Sequence, residues 1–252
     1  MEEGALRLLE TQVEAWRHRI HDEDERKTYD EVFDRATLFV LQRLISNRVI
    51  ETLDYPVATG KEGNVFRATS RDGARAVKIY RVSTSTFRAL SRYIKGDPRF
   101  LRVGGGRRKL IFAWATKEFK NLVRMRQHHV RVPRPYVVRD NVLVMGYLGS
   151  KTRPAPELRH VRVDDPERLL HLLLLDLKRM RRAGLVHGDL SEYNLLFWRG
   201  LPYVIDVGQA VPLDHPQAEE WFDRDMRNLA RYLRSLDLDI DAEELGRRAR
   251  GV

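Results

Sequence analysis

The order of segments predicts an α+β chain in two lobes, and three observations carry this. Residues 56–80 interleave turn residues with short strand-like runs. A stretch marked by Gly and Pro, from Gly146 to Pro156, follows a short apolar run and reads as a hinge. Beyond it lie two long helical patterns separated by a polar loop and short strands. The predicted parts are a helical extension over 1–50, a small lobe over 51–145 and a large lobe over 146–252.

Residues 5–50 read as helical, because Leu6, Leu9 and Val13, then Val32, Phe33, Ala36, Phe39, Val40, Leu44 and Ile45 recur at helical spacing without a Gly or Pro. The texture changes at Leu53. Asp72-Gly73 is a hairpin signal between Val65-Phe66-Arg67-Ala68 and Arg75-Ala76-Val77-Lys78-Ile79-Tyr80. Residues 81–109 hold nine basic residues against one acid, Asp97, together with Ser83-Thr84-Ser85-Thr86 and Gly104-Gly105-Gly106. This predicts a long basic surface connection. A helix follows over Ile111 to Met125, with Glu118 inside it, and then a short buried strand over Val142 to Met145. Asp165-Pro166 starts the next helix with an N-cap and a Pro at the first position. Leucines on both of its sides predict full burial, and Gly184 closes it. Leu195–Trp198 and Tyr203–Val207 read as short strands around Arg199-Gly200, and a last helix runs from about His215 to Leu236.

Composition narrows the function. The 252 residues carry 46 Lys and Arg against 36 Asp and Glu, a net charge of +10. Such a charge suits an anionic partner, and it is equally the mark of an Arg-rich or heat-adapted source. With 42% apolar and 33% charged residues the chain is no disordered segment. The absence of Cys excludes thiolate zinc sites, iron–sulfur clusters and a Cys nucleophile. The acidic start Met1-Glu2-Glu3 and the lack of a long apolar run lead to the expectation of a soluble cytoplasmic protein.

The chemistry rests on an ordered set. Gly60-x-x-Gly63 between strands can offer backbone N–H groups to phosphate oxygens, although alone it is more often a plain turn. Lys78 follows in the next strand, and Glu118 stands inside an otherwise apolar helix, so a Lys–Glu pair of the kind that holds nucleotide phosphates is available. His187-Gly188-Asp189-Leu190-Ser191-Glu192-Tyr193-Asn194 then places an Asp and an Asn five residues apart, and Asp206 follows in Ile205-Asp206-Val207-Gly208. Phosphoryl transfer needs an Asp near the attacking oxygen, and a carboxylate and an amide on magnesium. The spacing fits the kinase pattern H-x-D-x-x-x-x-N…D-x-G. His187 reads as a structural brace of the loop rather than a base.

On these residues the chain resembles the RIO family of atypical protein kinases, over about 26 to 240. Thr59-Gly60-Lys61-Glu62-Gly63-Asn64-Val65 is similar to that family's nucleotide loop. Val77-Lys78-Ile79-Tyr80, with Ser83-Thr84-Ser85-Thr86-Phe87, and Trp114-Ala115-Thr116-Lys117-Glu118-Phe119-Lys120-Asn121-Leu122 are similar to its first, Rio1-type branch. The stretch before the lobes looks too short for the winged helix of the second branch. His187-Gly188-Asp189 lacks the Arg of ordinary kinases, Asp206-Val207-Gly208 lacks their Phe, and no A-P-E element follows.

The resemblance implies a two-lobed protein-kinase-like fold whose truncated large lobe lacks an activation loop and peptide-docking helices. It implies ATP and magnesium (or manganese) as cofactors. ATP-binding residues would be Gly60, Lys61, Gly63, Val65, Lys78, Glu118 and Met145, with backbone groups of Gly146 and Leu148 at the adenine. Asn194 and Asp206 would hold the metal, Asp189 would be catalytic, and Asp206 would accept a transient phosphate. Ser83, Ser85 and Ser91 are candidate autophosphorylation sites beside the basic segment. The implied function is an autophosphorylating serine kinase and ATPase acting in small-ribosomal-subunit maturation. The expected partner is the pre-small ribosomal subunit or its rRNA, with no DNA, no membrane and a monomeric state. A second reading is an ATP-gated ribosome-binding switch in which hydrolysis, not protein phosphorylation, is physiological. A small-molecule kinase of the aminoglycoside or choline type shares the H-G-D loop, but Ser191-Glu192-Tyr193-Asn194 argues against it. A pure RNA-binding protein would not need the ordered set.

Overall fold

A computed structural model of the chain describes residues 7, 9–11, 13–16, 32–60, 63–82, 94, 97–100, 103–104 and 106–251. Lys61, Ser83, Ser85, Ser91 and most of the basic connection lie outside the described residues. The chain divides into two compact units.

The first unit holds residues up to Arg92, Arg102–Thr116 and Pro135–Tyr147. Helix α1 (Arg35–Ser46) begins at Asp34, whose carboxylate caps the Thr37 N–H at 2.8 Å. Five antiparallel strands follow: β1 (Thr52–Thr59), β2 (Gly63–Ser70), β3 (Gly73–Tyr80), β4 (Pro135–Arg139) and β5 (Val142–Gly146). Their spatial order is β1-β2-β3-β5-β4. The two-residue loop between β2 and β3 is Arg71-Asp72, and Gly73, at φ +118°, begins the return strand in a conformation that suits glycine. β4 was absent from the sequence expectation, since Pro133 and Pro135 mark an irregular segment. Pro135 instead stands at the head of an edge strand, where its missing N–H costs nothing.

Alternation along the strands sorts the sheet into two faces. Phe66, Ala68, Val77, Ile79, Val142 and Val144 point to one side and join Leu9, Val32, Val40, Leu41, Leu44 and Leu53 in a single core. Trp16 stacks on Phe66 with ring centroids 5.7 Å apart. Described residues preceding the sheet thus pack against one face of it. Asn141 ties α1 to the sheet, its amide donating to Thr37 Oγ1 at 2.9 Å and to the Tyr80 carbonyl at 3.0 Å.

The second unit holds Tyr93–Leu101, Lys117–Arg134 and Leu148–Val252. Helix α2 (Arg107–Gln127) spans the division, with its residues from Lys117 onward assigned here. Helix α3 (Pro166–Arg182) starts at Asp165 as expected, the carboxylate accepting from Arg168 N–H at 2.9 Å. It is not buried all round: Leu172 and Leu175 are half-buried and His171 is exposed. Leu169, Leu170, Leu173, Leu174, Leu177 and Met180 form its buried face.

Short pairs follow: β6 (Leu185–Val186) with β9 (Val211–Pro212), and β7 (Leu195–Trp198) with β8 (Leu201–Val204). Helices α4 (Ala218–Arg234) and α5 (Ala242–Arg250) complete the unit, α5 packing on both α4 and α3. β8 ends at Val204 rather than Val207, because the next backbone groups bond elsewhere: Ile205 N–H to the Asn194 carbonyl at 3.0 Å, and its carbonyl to His187. α5 was not expected from the sequence, although Asp241 caps it through Glu244 N–H at 2.7 Å. Among the described residues no helix is long and apolar enough to cross a membrane.

Candidate functional site

In the first unit the sheet face away from the core carries the predicted nucleotide residues. Val65 pairs with Lys78, Lys78 with Leu143, and Ala76 with Met145, so all five share one face. Lys78 is only 6% exposed, with its ammonium 5.1 Å from the centre of the Tyr80 ring. Arg75 pairs with Gly146, which ends β5.

The glycine turn is tightly specified. Gly60 N–H donates to the Gly63 carbonyl at 3.0 Å. A side chain at Gly63 would place its Cβ 2.3 Å from the Ile79 carbonyl oxygen, so strand β3 leaves room for glycine alone. Arg81 braces the turn, its guanidinium donating to the Gly60 carbonyl at 2.6 Å and to Asn64 Oδ1 at 3.1 Å. Sequence reasoning missed Arg81, since a basic residue at the start of a basic segment gives no separate signal. Gly63→Ala is expected to force β2 and β3 apart, lowering stability by about 1–3 kcal/mol and weakening nucleotide binding. Urea unfolding beside a nucleotide titration checks both, and unchanged values would show that the turn accommodates a methyl group.

In the second unit hydrogen bonds bring together the residues predicted to form the catalytic loop. Asn194 Nδ2 donates to the Asp189 carbonyl at 2.7 Å, which leaves its Oδ1 as an open acceptor. Asp189 N–H donates to His187 Nδ1 at 3.3 Å. That bond makes Nδ1 the acceptor and puts the ring proton on Nε2, which donates to the Ile205 carbonyl at 3.0 Å. His187, 1% exposed, is therefore a brace between the loop and the residue before Asp206, as its sequence context suggested. Asp206 itself is exposed and stands at φ +57°, a conformation costly for a non-glycine residue.

Asp225 on α4 holds the loop from beneath. Its carboxylate is 1% exposed and accepts Gly188 N–H at 2.8 Å and Leu190 N–H at 2.7 Å. Arg224 donates to the Gly188 carbonyl, and Asn228 to that of Leu190 at 3.3 Å. None of these three was legible in the sequence. Burial pushes the Asp225 carboxyl up to about 6, against the opposing pull of the Leu190 and Gly188 N–H groups and Arg224. Asp176 on α3 behaves alike: burial lifts it to about 6 despite its 2.7 Å ion pair with Arg131.

A carboxyl whose folded value lies above its unfolded one binds its proton more tightly in the native state. Asp176 and Asp225 each add stability at low pH that is lost as pH rises from about 4 to about 6, up to about 2–3 kcal/mol apiece. Asp176→Asn is expected to flatten the pH dependence of the urea midpoint across that window. An unchanged slope would show that the native carboxyl titrates normally.

Of the other predicted residues, Glu118 is 2% exposed on the second half of α2, and Leu148 opens the second unit's last segment. As for a metal, among the described residues no group of three or more His, Cys, Asp or Glu is placed to hold one. The Asn194 amide oxygen and the Asp206 carboxylate are hard oxygen donors, the type magnesium takes when phosphates and water complete its shell. The residues thus fit a magnesium–nucleotide pair.

The chain is similar to several known proteins. A family model described as RIO domain matches residues 64–245. The RIO-type serine/threonine-protein kinase Rio1 of Haloferax volcanii is 43% identical over 240 residues, covering 95% of this chain and 83% of that protein. The serine/threonine-protein kinase RIO1 of Caenorhabditis elegans is 38% identical over 240 residues, 93% of this chain, which spans only 47% of that longer protein. Among solved structures, the Rio2 kinase of Chaetomium thermophilum in its ADP/Mg2+-phosphoaspartate complex superposes with a TM-score of 0.65 at 24% identity, over 84% of this chain and 65% of its own.

Proposed function

Because the chain belongs to the RIO family of serine/threonine-protein kinases, of the Rio1 type, we propose that it transfers the γ-phosphoryl group of ATP to serine hydroxyls, its own included, and also hydrolyses ATP. The observation that carries this reading is the loop geometry. Asp189, Asn194 and Asp206 are locked into one constellation by the Asn194 amide and by His187, with the Asp189 carboxylate left without an ion pair or hydrogen bond among the described residues.

In this reading the phosphates of ATP meet Lys78, steadied by Glu118, and the backbone of the Gly60–Gly63 turn with Lys61. The adenine meets backbone groups of Gly146 and Leu148. Asn194 and Asp206 would hold magnesium, which would supply positive charge to the phosphates. Asp189 orients the acceptor hydroxyl and takes its proton. Asp206 is also an acceptor. Its carboxylate oxygen bonds to the γ-phosphorus as the bond to ADP breaks, and water then cleaves the acyl phosphate to inorganic phosphate. The exposure of Asp206 supports this step, and a phosphoaspartate is named in the Chaetomium Rio2 complex. The proposed setting is the cytoplasm, as a monomer on the pre-small ribosomal subunit or its rRNA. The net charge of +10 supports such a partner. Use of the ATPase as a ribosome-binding switch is the second reading, and stimulation of turnover by pre-ribosomal particles without any phosphorylated protein would favour it.

The test is incubation with γ-labelled ATP and magnesium. Label that hydroxylamine releases, and that Asp206→Asn abolishes, is the expected acyl phosphate. Label that wholly resists hydroxylamine returns Asp206 to metal binding alone, and absence of any turnover removes the kinase reading.

A further inference from the structure

One cluster of buried charge is left unused by the chemistry above. Asp97 and Lys117 are 1% and 2% exposed, their charged ends 3.5 Å apart. Taking two such ions out of water costs several kcal/mol each, and apolar residues of the same size would fill the space at least as well. Their position has a direction, however. Asp97 grips Arg99, accepting from its backbone N–H at 3.0 Å, from Nε at 2.8 and 3.1 Å and from Nη2 at 2.6 Å. Burial pushes the Asp97 carboxyl up, but Arg99 and Lys117 outweigh it and hold it below the ordinary carboxylate value.

Arg99, thus fixed, spends its remaining donors on two targets: Asn121 Oδ1 at 2.8 Å and the Ala210 carbonyl at 3.1 Å. Asn121, 1% exposed, is thereby oriented so that its Nδ2 reaches the carbonyls of Val207 at 2.7 Å and Ala210 at 3.0 Å. Val207 and Ala210 are the two ends of a tight turn, closed by Ala210 N–H to the Val207 carbonyl at 3.2 Å. Asp206 is the residue that enters this turn. His187 fixes the backbone on its other flank, at Ile205. Asp206 stands in the left-handed region at φ +57°, and the backbone of both its neighbours is pinned, Ile205 by His187 and Val207 by Asn121.

We propose that Arg99, held by Asp97 and acting through Asn121, is a positioning residue that sets the Asp206 carboxylate for metal binding. The inference rests on the reading of Asp206 as a magnesium ligand. Outer partners of metal ligands commonly contribute 10–100-fold to metal affinity. Arg99→Met should therefore raise the magnesium concentration for half-maximal ATP turnover by about 10–100-fold, with a fall in kcat. Metal-free binding of a fluorescent ATP analogue in EDTA should stay as in the wild type. Arg99→Lys should restore the thermal midpoint but not the magnesium response, because one ammonium cannot serve Asp97, Asn121 and Ala210 together.

A lowered thermal midpoint in both variants with a wild-type magnesium response would overturn the proposal and leave the cluster as scaffolding. Arg99→Lys keeps the question open to measurement if Arg99→Met fails to fold. Asp206→Asn run alongside separates the two readings. If it too leaves the magnesium response unchanged, the metal assignment of Asp206 fails. If it alone shifts the response, only the positioning role of Arg99 fails.

Discussion

Replacing Asp189 with alanine is expected to lower phosphoryl transfer about 10²–10⁴-fold with little change in magnesium or nucleotide affinity. The reason is local. What holds the loop at this residue is its backbone, through His187 Nδ1 and the Asn194 amide. The carboxylate contributes nothing to that scaffold, so its removal takes away the proton transfer and acceptor alignment proposed for it and leaves the loop standing. Single-turnover rates with saturating MgATP, set beside nucleotide titrations, separate the two effects. Equal losses in rate and in magnesium affinity would mean that Asp189 is itself a metal ligand, and an unchanged rate would remove it from the chemistry.

Asp225→Ala should be the most damaging change outside the reacting groups. Each carboxylate oxygen takes one loop N–H, from Gly188 and from Leu190, in the interior of the unit. An alanine would leave both donors buried and unpaired, at about 1–3 kcal/mol for each group, or roughly 2–6 kcal/mol in all. Native stabilities of this order of magnitude are only about 5–15 kcal/mol, so a large fall in the urea midpoint is expected, with activity lost before global unfolding as the Gly188–Leu190 backbone loosens. Asp225→Asn keeps one acceptor oxygen and should fall between the two. Urea titration with activity measured at each concentration tests this, and coincident unfolding and inactivation at a wild-type midpoint would show that the carboxylate is not what holds the loop.

The proposed site residues could be picked out in the sequence because their spacing is short. Asp189 and Asn194 share one loop, Asp206 ends the next strand pair, and Lys78 follows the glycine turn by a single hairpin. The family expectation followed from those same residues, and both the matching family model and the related kinases agree with it. What escaped was the second layer. Asp225, Arg224, Asn121, Arg99 and Arg81 all bond to backbone N–H or C=O groups, and a backbone group has no letter in the sequence. Asp97 looked like the lone acid of a basic segment and proved to be a buried anchor. Glu118 and Lys117 are adjacent on α2, and the sequence reading gave a role only to Glu118. Helix α5 was missed for another reason: its buried apolar side chains, Leu245 and Ala249, are too few for a periodic signal, and Gly246 interrupts them.

The two-sided sheet has a consequence for how this chain can change over generations. Along β2 and β3 each residue that faces the core adjoins one that faces the nucleotide side: Phe66 beside Val65, Val77 and Ile79 beside Lys78. A substitution touches one of these faces. Gain or loss of a single codon within either strand would turn every later side chain to the opposite side, sending Lys78 into the apolar core and an isoleucine or valine outward. Length variation among descendants of this sequence is therefore confined to places such as the Arg71-Asp72 loop, where an added residue alters no parity. Within the strands, divergence must proceed by exchange of one letter at a time.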